Sequence, residues 1–287
     1  MRIDRIVVAG GGVMGSQVAW QAATHGKTVT VYDVFDEGLA RSRAFHEDFG
    51  KRFVAQKRRT AEEVAAARAR ISYTTDLGAA LAGAGLVIEQ VPEDLGIKQK
   101  FWQQASALAA AETLFASNTS SLLLSDMVGF IDRPEKFLAL HFCVDVWDAN
   151  IGEVMGQAQT APASYAAITA FAGEIGLVPI EVRKEQPGYV LNSLLIPWLI
   201  AGIDLLRKGV CDAESIDRTW QICNKSEIGP MRMLDMVGMN AAYHIASSWA
   251  AAYQDDQAAA AAAFLKSEYI DRGRLGMAAG RGVFEYG

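Results

Sequence analysis

His141 and Glu153 stand twelve residues apart in the stretch HFCVDVWDANIGE. A glutamate that accepts a hydrogen bond from one imidazole nitrogen fixes the tautomer and stabilises the imidazolium. It leaves the other nitrogen free to take a substrate proton, which makes a general base. The pair works only if the fold brings its members together. FLALHF (137–142) reads as a strand ending near His141, and GEVMGQAQ (152–159) as a second strand beginning around Glu153, so neighbouring strands joined by the intervening loop would do it. On these residues alone, a histidine satisfied inside a core is the better explanation of the pattern.

A second pattern needs less help from the fold. VVAGGGVMGSQVAW puts Gly10, Gly12 and Gly15 in G-x-G-x-x-G register directly after a strand-like run and at the start of a helix. Gly10 suits a tight turn and Gly12 a close approach of backbone to a pyrophosphate. Gly15 suits close helix–strand packing, and Val13 and Met14 lie between at the helix N-terminus where the phosphates would sit. Asp33 ends the next strand-like run 18 residues beyond Gly15. A carboxylate there accepts from both ribose hydroxyls and repels a 2′-phosphate, and Val34 and Phe35 follow it rather than an arginine, so NAD is expected over NADP. His25, before Gly26, reads as part of a helix C-terminus.

The elements that must carry these residues follow from periodicity. RIVVAG (5–10), TVTVYD (28–33), GLVIEQV (85–91), TLFASN (113–118) and FLALHF alternate with helical patterns, which implies a parallel sheet covered on both faces. Between Asp33 and the weak strand ARISYTT (69–75) the pattern predicts an extra helical hairpin. At RKEQPGY (183–189) a Pro-Gly pair marks a break, after which only helices are expected: a long apolar one from 189 to about 208, one capped by Asp212, one after Gly229 and Pro230, and one through the alanine run 258–263. The expected architecture is α/β: a Rossmann-type doubly wound sheet over residues 1–184, then an all-α domain over 185–287.

A formal charge of −6 and a pI near 5.3 disfavour nucleic acid and anionic membranes as partners. A small-molecule substrate is expected instead. Cys143, Cys211 and Cys223 are odd in number and lack metal-ligand spacing, so neither a disulfide framework nor a zinc site is expected, and a reducing cytoplasm fits. No leader sequence is read at the N-terminus, and LLIPWLIAGI (194–203) is too short to span a bilayer.

The order of these motifs resembles the L-3-hydroxyacyl-CoA dehydrogenase family along nearly the whole chain. SNTSSL (117–122), with Ser120 standing 21 residues before His141, is similar to that family's active-site serine block, and LHF to the start of its G-x-H-F-F-N-P segment. QPGYVLNSLL resembles the family's P-G-F-x-x-N-R segment and aligns Asn192 with its asparagine; GRLGMAAGRGVFEY (273–286) resembles its terminal block. The resemblance implies reversible oxidation of a secondary alcohol at C3 of an acyl thioester, with hydride passing to NAD. His141 would be the base, Glu153 its partner, and Ser120 and Asn192 the hydrogen-bonding groups on substrate oxygens. It further places Glu93, Lys98 and Ser120 near the nicotinamide ribose, implies a homodimer, and gives the basic run KRFVAQKRR (51–59) a role toward the CoA nucleotide, although a solvated helix face explains that run as well.

The chain departs from the family pattern at the site itself. Val144 and Asp145 replace Asn-Pro, Ser193 replaces the arginine after the asparagine, and the lysine of the terminal block is lost around Ala278. With Trp147 and Asp148, these changes would reshape the acyl end of the pocket toward a small or polar 3-hydroxy substrate. Two other functions remain open: a dehydrogenase of a free hydroxy acid or sugar acid, and a non-catalytic NADH-binding protein. Retention of Ser120, His141, Glu153 and Asn192 together argues against the second. A β-hydroxyacid dehydrogenase would need a lysine four residues before Asn192, where Gly188 stands.

Overall fold

A computed structural model describes residues 2–287. The chain divides into two compact units, one ending at Val190 and one running from Leu191 to Gly287.

The first unit is one eight-stranded sheet with helices on its faces. Its strands are β1 (Arg5–Ala9), β2 (Thr28–Tyr32), β3 (Ile71–Thr74), β4 (Leu86–Glu89), β5 (Leu114–Ser117), β6 (Phe137–Phe142), β7 (Ile151–Met155) and β8 (Val178–Val182), in spatial order 3-2-1-4-5-6-7-8. The helices are α1 (Val13–Thr24), α2 (Asp36–Ala55), α3 (Ala61–Ala69), α4 (Leu77–Leu81), α5 (Leu95–Leu108), α6 (Leu124–Met127) and α7 (Pro162–Glu174). β1, β4, β5 and β6 are buried almost throughout, as expected of strands covered on both faces. The strand order reverses between β1 and β4, and ligands of such sheets bind in the crevice that this reversal opens at the carboxyl ends of the strands.

Two features correct the sequence reading. The sheet is not wholly parallel: β7 runs antiparallel to β6, and β8 pairs parallel with β7. β8 itself escaped the pattern, because VPIEV is a short edge strand carrying Pro179, a residue that edges tolerate and central strands do not. The expected helical hairpin is α2 and α3; Thr60 starts α3 with a reciprocal capping box to Glu63.

The second unit is helical: α8 (Leu191–Arg207), α9 (Ala213–Asn224), α10 (Pro230–Val237), α11 (Met239–Tyr253) and α12 (Asp256–Glu268). Asp212 caps α9 and Pro230 opens α10, as the sequence suggests. Leu199, Ile203, Met231, Leu234, Met239 and Leu265 form its core. Asp235, 1% exposed, ties down the chain terminus by accepting from the backbone N–H of Val283 (2.7 Å) and Phe284 (2.9 Å) and from the Tyr286 hydroxyl (2.8 Å). Among the described residues no helix is long and apolar enough to cross a membrane.

Candidate active site

The antiparallel turn places His141 directly opposite Glu153 in the β6–β7 register. Imidazole Nδ1 lies 2.8 Å from Glu153 Oε2, and both side chains are buried. A carboxylate only accepts, so Nδ1 carries the proton and Nε2 presents its lone pair. Nε2 lies 3.1 Å from Ser120 Oγ, whose hydroxyl donates to it. The other oxygen of Glu153, Oε1, accepts from Val190 N at 2.8 Å. Tyr189, 1% exposed, stacks on the imidazole with ring centroids 4.5 Å apart and planes within 7°. It follows Gly188, and both residues have positive φ (78° and 53°), so the Pro-Gly break seen in the sequence folds an aromatic ring back over the imidazole. Nothing in the residue types around Tyr189 announces that contact.

Ser120 sits in the turn after β5. Glu93 Oε1 gathers this turn by accepting from Thr119 Oγ1 (2.6 Å), from the N–H of Ser120 and of Ser121 (each 2.9 Å) and from Ser121 Oγ (2.9 Å). Burial acts to raise the Glu93 carboxyl, but Lys98 and the Thr119 and Ser121 hydrogen bonds outweigh it and hold it down at about 2. Lys98 is 1% exposed and sits between Glu89 (2.6 Å) and Glu93 (3.2 Å). Asn118 links neighbours, donating to Gln90 Oε1 at 2.6 Å and accepting from Phe142 N at 2.8 Å.

The glycine loop joins β1 to α1 at the topological reversal. Gly10 has φ +124°, and a Cβ on it would stand 2.5 Å from the Gln90 carbonyl oxygen; one on Gly15 would meet the Gly10 carbonyl at 1.9 Å. Before Gly12 there is open space, with no atom within 4 Å of where its Cβ would lie, and no side chain caps α1. A bare helix N-terminus facing open space through Gly12, Val13 and Met14 fits a pyrophosphate. Asp33 follows β2, and its carboxylate accepts from Gly11 N (2.8 Å) and Phe35 N (3.0 Å); Gly38 leaves room for it, since a Cβ there would lie 2.4 Å from Asp33 Cγ. The residues present therefore fit a dinucleotide. Asn192 stands half-buried in the first turn of α8, in the second unit.

Residues 5–186 match the family model described as 3-hydroxyacyl-CoA dehydrogenase, NAD binding domain, and residues 188–286 match its C-terminal domain. The chain belongs to the 3-hydroxyacyl-CoA dehydrogenase family. It is an NAD-dependent oxidoreductase. It is 31% identical to the mitochondrial hydroxyacyl-coenzyme A dehydrogenase of Rattus norvegicus over 86% of this chain and 80% of that one. It is 32% identical to 5-formyl-3-hydroxy-2-methylpyridine 4-carboxylate 5-dehydrogenase of Mesorhizobium japonicum over 99% and 91%. Among solved structures it resembles a diketoreductase, described by its dual catalysis of dicarbonyl compounds, with 42% identity, a TM-score of 0.93 and full coverage of both chains.

The loop between His141 and Glu153 is bound to α2. Trp147 packs against Phe49 and Phe53 (centroids 5.0 and 5.2 Å), with the Arg52 guanidinium 5.0 Å from its ring centroid. Asp145, with φ +61°, lies 3.8 Å from Arg52; Asp148 lies 2.5 Å from the Arg58 guanidinium. Gln17 Oε1, on α1, accepts from Asp145 N (2.8 Å) and Val146 N (3.3 Å), so the helix that opens at the glycine loop also holds the substituted segment. Cys143 beside it is half-buried, and burial pushes its thiol up to about 11, away from thiolate chemistry.

Proposed function

We propose that this protein interconverts a 3-hydroxy and a 3-oxo acyl compound, with a CoA thioester of short chain as the leading substrate and His141–Glu153 as the base pair. The observation that carries the reading is the continuous hydrogen-bonded line Ser120–His141–Glu153, with the basic nitrogen Nε2 at its substrate end. His141 takes the hydroxyl proton, and Glu153 balances the imidazolium that results. With substrate present the Ser120 hydroxyl turns from Nε2 to a substrate oxygen and, together with Asn192 as a second hydrogen-bonding group, polarises C3–O. Gly10, Gly12, Val13, Met14, Gly15 and Asp33 hold the dinucleotide, and Glu93 and Lys98 lie toward its nicotinamide ribose. When bound, NAD supplies the hydride acceptor.

A second reading, a substrate without CoA, is favoured by the loop. Two arginines of the basic run that could meet nucleotide phosphates, Arg52 and Arg58, already face Asp145 and Asp148. The relatives that act on a pyridine carboxylate and on dicarbonyl compounds are compatible with it. The deciding assay follows NADH oxidation with acetoacetyl-CoA against free 3-oxo acids and their esters, for wild type and His141→Ala. Preference for the thioester supports the first reading and preference for the free acids the second; undiminished turnover by His141→Ala would reject the mechanism in both.

The homodimer implied by the family belongs to the second unit, where Leu194 and Ile222 are each 70% exposed and Met236 55%. Sedimentation at micromolar concentration is expected to give twice the chain mass. A reducing cytoplasm is in keeping with three free cysteines, two of them exposed.

A further inference from the structure

Beneath the Ser120 turn lies a group that proton transfer does not use. Glu89 closes β4, stands opposite Ser117 in the β4–β5 register, and has no solvent exposure. Its Oε1 accepts from Lys98 Nζ (2.6 Å) and Val91 N (2.8 Å), and its Oε2 from Ser117 Oγ (2.7 Å). Two routes lead outward from this carboxylate. Through Ser117 Oγ, which accepts from Thr119 N at 3.2 Å, it reaches the start of the turn; through Lys98 and Glu93 it reaches Thr119, Ser120 and Ser121. The second ends on Ser120, whose hydroxyl meets His141 Nε2, and the first on its neighbour Thr119.

A carboxylate is expensive to bury, and burial here pushes Glu89 up against the opposing effect of Lys98 and Ser117. A buried ion pair can often be exchanged for apolar side chains at no loss of stability, so stability alone does not explain why two acids and a lysine occupy this position. We propose that Glu89 is a positioning residue that fixes Ser120 Oγ against His141 by anchoring Ser117 and, through Lys98 and Glu93, the turn that follows. The proposal rests on the roles given above to Ser120 and His141.

A double-mutant cycle tests it, with kcat measured for NADH and acetoacetyl-CoA, or acetoacetate if the substrate panel selects the free acid. Ser120→Ala is expected to lower kcat by about 100-fold, as loss of one donor to a reacting oxygen does. Glu89→Gln is expected to lower kcat by about 10-fold with Ser120 present and by less than about 2-fold in Ser120→Ala, because a residue that acts through another has nothing left to place once that one is gone. Ser117→Ala, which cuts one route only, should show the same pattern at about 3-fold; it carries the test if Glu89→Gln does not fold. Equal losses in both backgrounds, or no loss in either, would overturn the proposal while leaving the role of Ser120 intact. Ser120→Ala at wild-type kcat would instead remove Ser120 from the reaction and overturn both the proposal and the role given to Ser120.

Discussion

Glu153→Gln is the most searching single change, because it preserves shape while removing the charge and turning one acceptor into a donor. Each oxygen of Glu153 accepts, one from His141 Nδ1–H and one from Val190 N–H. Glutamine offers one acceptor and one donor, so it cannot satisfy both. If its carbonyl serves His141, the amide NH2 points at Val190 N–H, and a buried donor is left unpaired at a cost of about 1–3 kcal/mol. If the amide turns round, its NH2 donates to Nδ1, the imidazole shifts its proton to Nε2, and the base loses its lone pair. In either case the imidazolium loses a charged partner, and a charge-assisted hydrogen bond exceeds a neutral one by about 1–2 kcal/mol. The unpaired donor is the same in ground and transition state and lowers stability, whereas the lost charge partner places the loss of kcat at a minimum of about 5- to 30-fold, at ~1.4 kcal/mol per decade. Steady-state kinetics at saturating NADH gives the number, and NADH affinity by nucleotide fluorescence should stay within about 3-fold because Glu153 does not contact the glycine loop. A kcat within 3-fold of wild type would refute the pairing of base and carboxylate as the source of the activity.

Other consequences can be measured on the same protein. His46 is buried and hydrogen-bonded as the neutral imidazole, with Nε2 facing the Ser16 carbonyl at 2.8 Å and Nδ1 the Tyr73 hydroxyl at 2.6 Å; burial lowers it to about 4. The unfolded chain therefore binds the extra proton first: stability should be complete above pH ~6.5 and fall by up to about 3 kcal/mol as pH drops toward 4, a slope that chemical denaturation should find absent in His46→Gln. Glu93, held at about 2, acts in the lower window, and its stabilisation, about 1–2 kcal/mol after allowance for a side chain 38% exposed, should be present above pH ~4.5 and lost toward 2. Asp235→Ala orphans two backbone N–H groups and a hydroxyl, and should lower stability by about 3 kcal/mol in thermal unfolding. Trp147→Ala should free the loop from Phe49 and Phe53 and raise KM by about 5–20-fold with NADH affinity unchanged; an unaltered KM would remove the loop from the substrate pocket.

What the sequence discloses follows from how local each signal is. The glycine loop and Asp33 are legible because a tight turn, a helix start and a strand end each have residue preferences that do not wait for tertiary structure. His141 and Glu153 are legible as strand ends, but their pairing is set by an antiparallel register in which no Asn-Gly or Asp-Gly turn marks the reversal. Lys98 reads as a residue near the nicotinamide ribose only by resemblance, and its burial is not legible, since its environment depends on Glu89, which sits nine positions away on β4 and reads as one more strand residue. Gln17 and Tyr189 belong to the same class. Each is an ordinary helix or turn residue until a distant segment arrives against it.

The antiparallel step from β6 to β7 also separates two kinds of change. Because backbone pairing with β6 on one side and β8 on the other fixes which residue faces His141, residues 143–150 can gain or lose side chains, and even length, without displacing the acid from its base. A one-residue slip of β7 would by contrast turn Glu153 to the opposite face of the sheet. Substitutions such as Val144 and Asp145 thus fall where the His141–Glu153 pairing tolerates them, and the strands on either side are where it does not. On the proposed mechanism, rewriting this single loop would change the substrate while His141 and Glu153 stay in register.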